Sequence, residues 1–148
     1  AAFAALPKER KAELRQLTAI HSAGGAYAPD GAYGLNDKGR SMDIRPDESA
    51  RKNHLHPLVK PHPETGEETL FSCAGYIIGI EGMEGPDAYR LLVELLEWQT
   101  QDCFIYRHRW EPDMLLLWDN RCVLHRATGG YEGHRRELHR TTIAAWAG

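Results

Sequence analysis

The feature that most constrains the fold of this chain is a series of short apolar segments in its C-terminal half. Segments of strand length cover residues 103–110, 114–118, 122–127 and 137–146, and turn residues such as Gly129-Gly130 separate them. Short strands at this spacing are typical of an antiparallel sandwich or barrel. The sequence therefore predicts a mainly β domain with helices packed against its outside.

The N-terminal third predicts a different organisation. Residues 1–22 are predicted to be helical, because Leu14 and Leu17 lie three apart while charged residues fill the opposite face. Residues 23–53 contain repeated glycine and proline turn signals instead of a periodic pattern. A loop of this length predicts either a lid over a site or a poorly ordered insertion.

Residues 54–148 are expected to supply the strands of the domain. Short strands are expected on both sides of the Pro-Glu-Thr-Gly sequence at residues 63–66, which favours a hairpin turn. A helix is predicted at about residues 86–101, where apolar side chains recur at helical spacing and Pro86 suits the first turn. All of these segments are expected to belong to one domain.

Composition excludes several classes of protein. The 148 residues carry 18 basic and 21 acidic side chains, a net charge of −3, which argues against a nucleic-acid binder. No apolar run reaches the length of a membrane span. The three cysteines are widely spaced without a Cys-x-x-Cys pair, which fits a reducing compartment and predicts a cytoplasmic protein.

Arginine and histidine concentrate near the C-terminus. Seven of the thirteen arginines and four of the eight histidines lie within residues 107–140. On a strand, Arg136 and Arg140 would share one face, where a guanidinium fork suits a carboxylate, a phosphate or a sulfonate. These arginines predict a small anionic ligand, unless they pair with protein carboxylates or lie in solvent.

A lone histidine in an apolar strand, such as His125, is more often a hydrogen-bonded core residue than a ligand. Here, however, it ends the sequence Trp-Asp-Asn-Arg-Cys-Val-Leu-His at residues 118–125, and Arg-Arg-Glu-Leu-His-Arg follows at residues 135–140. This combination closely resembles the taurine/2,4-dichlorophenoxyacetate dioxygenase (TauD/TfdA-like) family. The resemblance extends upstream through residues 56–66 and 104–110, and it covers roughly residues 54–143.

The resemblance implies a role for each matching residue. His125 corresponds to the distal histidine of a two-His-one-carboxylate iron triad, which leaves three positions open for 2-oxoglutarate and O₂. Arg136 corresponds to the arginine that binds the remote carboxylate of 2-oxoglutarate. Arg140 corresponds to an arginine that binds the acidic group of the substrate. Trp118 and Asn120 match positions that support these groups structurally.

The implied fold is the C-terminal part of a double-stranded β-helix, or jelly roll. The implied enzyme is an Fe(II)- and 2-oxoglutarate-dependent dioxygenase that hydroxylates a small carboxylate or sulfonate. The Arg-Arg-Glu-Leu sequence at residues 135–138 favours the aryloxyalkanoate-degrading side of the family. A homo-oligomer is compatible with the sequence, because both the 23–53 segment and the predicted helix could form an interface.

The sequence departs from the family pattern at the first half of the iron site. It contains no His-x-Asp, and its one His-x-Glu, His62-Pro63-Glu64, falls on the predicted hairpin turn rather than at the metal site. The threonine that binds 2-oxoglutarate in the family is also absent. We therefore expect this chain to be the C-terminal portion of a dioxygenase and to lack activity by itself.

Two other functions remain open at this point. A non-catalytic module derived from the same fold could keep Arg136 and Arg140 as an anion-binding site without holding iron. A zinc hydrolase could use His54, His56 and His125, because the first two would share one face of a strand.

Overall fold

The computed structural model describes residues 1–36 and 43–144. Its α-helices are α1 (Lys8–Leu14), α2 (Gly24–Tyr27), α3 (Ala32–Asn36) and α4 (Gly85–Gln99), with 3-10 turns at Glu48–Arg51 and Asp102–Phe104. Its strands are β1 (Thr18–His21), β2 (His54–Pro57), β3 (Val59–Pro61), β4 (Glu68–Leu70) and β5 (Ile77–Ile80). None of the helices in these residues combines the length and the apolar character that crossing a membrane requires.

A small antiparallel sheet forms the centre of the fold. Its strand order is β2-β1-β5, so β1 has a hydrogen-bonded neighbour on both sides. Ala19 of β1 lies opposite His56 of β2 and Ile80 of β5, and it is completely buried. The strands β3 and β4 pair separately as an antiparallel hairpin.

Helix α4 covers the core. Ala88, Leu91 and Leu95 are its buried residues, and they recur at the three- and four-residue spacing that lines one face of a helix. They belong to the same buried cluster as Leu14 and Leu58. Burying a leucine of this kind contributes roughly 1.5–3 kcal/mol to stability. The core therefore joins α1, α4 and the strands into one packed unit.

The hairpin and the long helix were correctly predicted. The β3–β4 turn closes with Gly66 at a φ of 71°, a left-handed conformation that glycine adopts without steric cost. The His62 amide donates to the Glu67 carbonyl at 2.8 Å across this turn. The helix begins with proline in its first turn, as expected, and ends at Gln99.

The prediction that residues 1–22 are helical was wrong for much of that segment. Residues 2–5 form turns, α1 ends at Leu14, and residues Thr18–His21 form β1. Burial along β1 alternates in the two-residue period of a strand. Its partners β2 and β5 lie more than thirty residues away in the sequence, so tertiary pairing overrides the local helical pattern.

The segment predicted as a loop or a lid contains α2, α3 and the first 3-10 turn. Gly34 lets α3 pack tightly, because a Cβ atom there would lie 2.0 Å from the Pro29 carbonyl oxygen. Residues 37–42, which belong to the same prediction, lie outside the described residues. A lid function stays a prediction.

The strands predicted downstream of α4 are not formed in the described residues. Between residues 105 and 144 the structure has neither helix nor strand, and residues 145–146 of the last predicted strand lie outside the described range. A strand requires the backbone of a neighbouring strand, and backbone hydrogen bonds such as Val123 N–H to Asp119 O are local here. Helices consequently contain more of the described residues than strands do, contrary to the mainly β prediction, and the jelly roll stays a prediction.

Candidate functional site

The structure brings together three of the residues that the sequence singled out. The indole Nε1–H of Trp118 donates to Asn120 Oδ1 at 2.9 Å. The rings of Trp118 and His125 lie with their centroids 5.0 Å apart and their planes at 53°. The His125 side chain is nevertheless exposed, so its imidazole remains accessible to a ligand.

The two candidate anion-binding arginines lie in solvent. The guanidinium carbon of Arg136 stands 4.9 Å from the centroid of the Tyr131 ring, a cation–π distance. Arg140 is exposed, and within the described residues neither arginine forms an ion pair with a carboxylate. Both forks are therefore free to receive an anion, and no hydrogen bond in the described residues joins either arginine to His125.

A second group of polar residues forms where the segment of Trp118 touches the β3–β4 hairpin. Asp119 Oδ2 lies 3.0 Å from His62 Nε2 and 2.6 Å from Arg121 Nη2. Arg121 also donates to both carboxylate oxygens of Glu64, each at 3.0 Å. These four residues, His62, Glu64, Asp119 and Arg121, are called the latch below.

Local backbone geometry explains why the latch forms. Asp119 begins a turn in which its Oδ1 accepts from the Arg121 amide at 2.8 Å, an arrangement that aspartate favours. His62 Nδ1 lies 3.4 Å from the amides of Glu64 and Thr65, which assigns Nδ1 as the acceptor. His62 Nε2 therefore carries the proton and donates a hydrogen bond to Asp119 Oδ2.

The charged groups of the latch shift one another's pKa values. Hydrogen bonds from the Arg121 side chain and amide, followed by the one from His62, hold the pKa of Asp119 far below its usual range. The carboxylates of Asp119 and Glu64 raise the pKa of Arg121 in turn. Asp119 is thus ionised throughout the physiological range. Sequence reasoning missed this group, because its two halves lie 57 residues apart.

Metal-ligand geometry does not place a complete iron site in the described residues. There, the one group of three ligating side chains with ligand atoms within 4.8 Å of one another is His62, Asp119 and Cys122. His125 is outside that group. The proposed zinc set of His54, His56 and His125 does not converge either. His62 and Glu64, the two ends of the one His-x-Glu sequence, bond to Asp119 and Arg121 in the latch.

A separate aromatic cluster surrounds His21 in the core. Its ring stacks on Phe71 with centroids 5.2 Å apart, and it meets His56 edge-on at 5.3 Å. Within the described residues, His21 Nε2 is buried without a hydrogen-bond partner. Burial, with a smaller effect of His56 and Lys60, lowers the pKa of His21. Burial is also the main cause of the lowered pKa of His56.

Comparison with known proteins gives a consistent result. The family model described as taurine catabolism dioxygenase TauD, TfdA family matches residues 1–142. The alpha-ketoglutarate-dependent 2,4-dichlorophenoxyacetate dioxygenase of Cupriavidus pinatubonensis is 40% identical over 142 residues, which are 96% of this chain and 46% of that protein. The (S)-phenoxypropionate/alpha-ketoglutarate-dioxygenase of Sphingobium herbicidovorans is 34% identical over 158 residues, covering 97% of this chain and 49% of that protein.

Solved structures of dioxygenases also match this chain. The crystal structure of AAD-2 in complex with Mn(II) and N-oxalylglycine matches with a TM-score of 0.56 and 29% identity, over 74% of this chain and 40% of that one. A taurine dioxygenase from Burkholderia xenovorans matches with a TM-score of 0.55 and 25% identity, over 74% of this chain and 31% of that one. The chain spans about half the length of the curated relatives that it matches.

Proposed function

Because this chain belongs to the taurine catabolism dioxygenase TauD, TfdA family, we propose that the whole protein is an Fe(II)- and 2-oxoglutarate-dependent dioxygenase. The observation that carries the proposal is the exposed imidazole of His125, which lies against Trp118 and follows the Trp-Asp-Asn-Arg sequence of residues 118–121 by four residues. In the proposed enzyme, 2-oxoglutarate is decarboxylated to succinate while a C–H bond of the substrate is hydroxylated with O₂.

Each candidate residue has a binding role in this proposal. His125 supplies one nitrogen ligand to the iron. Arg136 binds the remote carboxylate of 2-oxoglutarate, and Arg140 binds the acidic group of the substrate, because a guanidinium fork matches the two oxygens of a carboxylate. Trp118 and Asn120 hold the His125 ring in place through the contacts described above. The remaining iron ligands are assigned to other parts of the whole protein.

The proposed substrate is a small organic acid, with an aryloxyalkanoate as the leading class. The curated relatives are named for 2,4-dichlorophenoxyacetate and for (S)-phenoxypropionate, both of which carry a carboxylate beside an aryl ether. The free fork of Arg140 suits such a carboxylate. The three cysteines are free thiols, in agreement with the proposed cytoplasmic location.

One observation favours a second candidate, a non-catalytic anion-binding module. In the described residues, no carboxylate or second histidine converges on His125 to complete an iron site. Arg136 and Arg140 would then bind an organic acid without metal. The two candidates differ in whether a divalent metal ion strengthens the binding of 2-oxoglutarate.

Succinate release tests the proposed enzyme directly. The assay would use the natural protein with Fe(II), 2-oxoglutarate and a panel of aryloxyalkanoic acids. We expect His125→Ala to abolish turnover and His134→Ala, at a nearby exposed histidine, to retain it. Equal turnover in the wild-type protein and in His125→Ala would contradict the role of His125.

Calorimetry separates the enzyme from the binding module. The titration would be done without O₂, so that no turnover occurs. We expect Mn(II) to tighten the binding of 2-oxoglutarate to the wild-type protein under these conditions. Binding that is equally tight with and without metal, and that is lost in Arg136→Leu, would favour the module.

A further inference from the structure

We propose that Asp119 and Arg121 are positioning residues that fasten the site-bearing segment to the packed part of the fold. Through the latch, they join the turn at residues 118–122 to the β3–β4 hairpin turn, and so determine where Trp118 and His125 project. The proposal rests on the proposed metal-binding role of His125 for its functional consequence. Its structural content, the attachment of one segment to another, does not depend on that role.

Beyond the bond from Arg107 to Asp102 at the boundary, the latch makes the hydrogen bonds that connect the C-terminal segment to the packed part of the fold. Within the described residues, the hydrogen bonds that join residues 108–144 to residues 1–104 are those of Asp119 to His62 and of Arg121 to Glu64. Arg121 stands at the centre, because it bonds to both carboxylates. A planar guanidinium that holds two carboxylates at once fixes their relative orientation as well as their distance.

The latch is connected to His125 through short covalent and hydrogen-bonded links. Trp118 immediately precedes Asp119, and its indole bonds to Asn120 on the other side of the same aspartate. The amides of Cys122 and Val123 donate to the Asp119 carbonyl at 3.2 and 3.1 Å, so the backbone after Asp119 turns tightly. His125 follows two residues later and rests against Trp118. Moving Asp119 therefore moves the support of His125.

The hydrogen-bond inventory argues against a metal site at the same place, despite the nearby ligand atoms of His62, Asp119 and Cys122. A carboxylate offers about four lone-pair positions. Asp119 accepts from the Arg121 amide at 2.8 Å, from Arg121 Nε at 2.9 Å, from Arg121 Nη2 at 2.6 Å and from His62 at 3.0 Å. A cation would have to displace Arg121, itself a cation. The chemistry of the donor set thus fits a fastening better than a metal centre.

Glu64→Gln tests the fastening with little disturbance of the fold, because the Glu64 side chain is 68% exposed. The variant removes the charge on the hairpin side and leaves Asp119 and Arg121 intact. The matched control is Glu94→Gln, whose side chain is 60% exposed and also forms an ion pair between distant segments, with Arg10 at 2.7 Å. Both variants would be made in the natural protein.

The first measurement is hydrogen exchange without metal or 2-oxoglutarate. We expect Glu64→Gln to speed the exchange of amides in residues 118–127 about threefold, the scale of losing one exposed ion pair, because the segment opens more often. Glu94→Gln should leave the same amides unchanged. Arg121→Lys, which keeps the charge but loses the planar fork, should speed them at least as much.

The second measurement is the affinity of the metal-free protein for Mn(II). We expect about a threefold loss of affinity in Glu64→Gln and none in Glu94→Gln, because a less fixed His125 costs more to order on binding. If exchange changes as expected while no variant binds Mn(II), the proposed function fails and the fastening stands.

Two results would overturn the proposal itself. One is equal exchange of residues 118–127 in Glu64→Gln, Arg121→Lys and the wild-type protein. The other is tight binding of Zn²⁺ that Cys122→Ser abolishes, because such binding would make Asp119 a metal ligand rather than the partner of Arg121.

Discussion

The described chain contains two regions that differ in secondary structure and in burial. Residues 1–104 hold all of its helices and strands and the whole buried core, whereas residues 105–144 hold His125, Arg136 and Arg140. Leu95 in the first region is 1% exposed, and Leu115 in the second is 91% exposed. The comparison indicates that the buried core lies in one region, while the candidate site residues lie on an exposed segment outside that core.

The exposed region is nonetheless apolar in places. Tyr106, Leu115, Leu117 and Ile143 are all at least 79% exposed, although such side chains are usually covered in folded proteins. All four fall in segments whose sequence predicts strands. If the proposed jelly roll forms in the whole protein, these side chains gain partners there, and the contrast between the two regions weakens.

The largest expected effect breaks the packed region. Leu95→Ala should lower the free energy of unfolding by about 2–5 kcal/mol, because it leaves a cavity beneath α4 where the fold cannot easily collapse. Urea unfolding of the 148-residue chain measures the change.

The matched control is Leu115→Ala, the same substitution at an exposed position. It should change the free energy of unfolding of the 148-residue chain by less than about 0.5 kcal/mol. A loss as large as that of Leu95→Ala would show that Leu115 is packed in this chain and would remove the distinction between the regions. A large loss that appears in the natural protein alone would support the proposed pairing of the 114–118 segment.

A smaller effect tests whether α3 belongs to the packed region. In Gly34→Ala, the new methyl group would collide with the Pro29 carbonyl, and the repacking should cost about 1–3 kcal/mol of unfolding free energy. Gly25→Ala is the control, since its Cβ would have no atom within 4 Å, and a helical alanine should stabilise α2 by up to about 1 kcal/mol. Similar stability of the two variants would indicate that α3 is not packed in solution.

The smallest expected effect is a dependence of core stability on pH. The folded state lowers the pKa of His21 and of His56, so the unfolded state binds more protons once the pH falls below the ordinary histidine value of about 6.5. The contribution of neutral imidazoles to stability is therefore complete above that value and is lost as the pH falls through and below it. Urea midpoints at about pH 7.5 and about pH 5.5 measure the change.

Substitution identifies the source of that dependence. His56→Phe should reduce the loss of stability at the lower pH, because it removes one titrating ring and the repulsion that this ring exerts on protonated His21. His139→Asn, at a histidine whose side chain is 90% exposed, should leave the dependence unchanged. An unchanged slope in His56→Phe would exclude the His21 cluster as its cause.

The sequence predicted those elements whose signals are local. For the β3–β4 turn, the signal is a turn sequence that contains Gly66. For α4, it is a periodic apolar face that follows a proline in the first turn. Strand β1 could not be recognised in this way, because its state depends on β2 and β5. The segments after α4 have strand-like sequences, yet they lack partner strands in the described residues, and propensity alone does not form a sheet.

In the candidate site, too, the sequence revealed the residues that are close in sequence and missed those that only tertiary structure brings together. The motif from Trp118 to His125 was recognisable because its members are neighbours in sequence, and the contacts of Trp118 with Asn120 and His125 agree with that grouping. The latch was not, because an aspartate and an arginine in a turn give no indication that they meet His62 and Glu64. The assignments of His125, Arg136 and Arg140 to iron, 2-oxoglutarate and substrate stay predictions.

The central claim is that the exposed region carries the site. Hydrogen exchange of the natural protein, measured without oxygen, tests this claim most directly. Exchange would be compared before and after addition of Fe(II) and 2-oxoglutarate. We expect amides in residues 118–140 to become protected, because the ligands would order the segment that carries His125 and Arg136, while amides of α4 remain unchanged. Protection confined to residues 1–104, or no protection in residues 118–140, would contradict the assignment of the site to the exposed region.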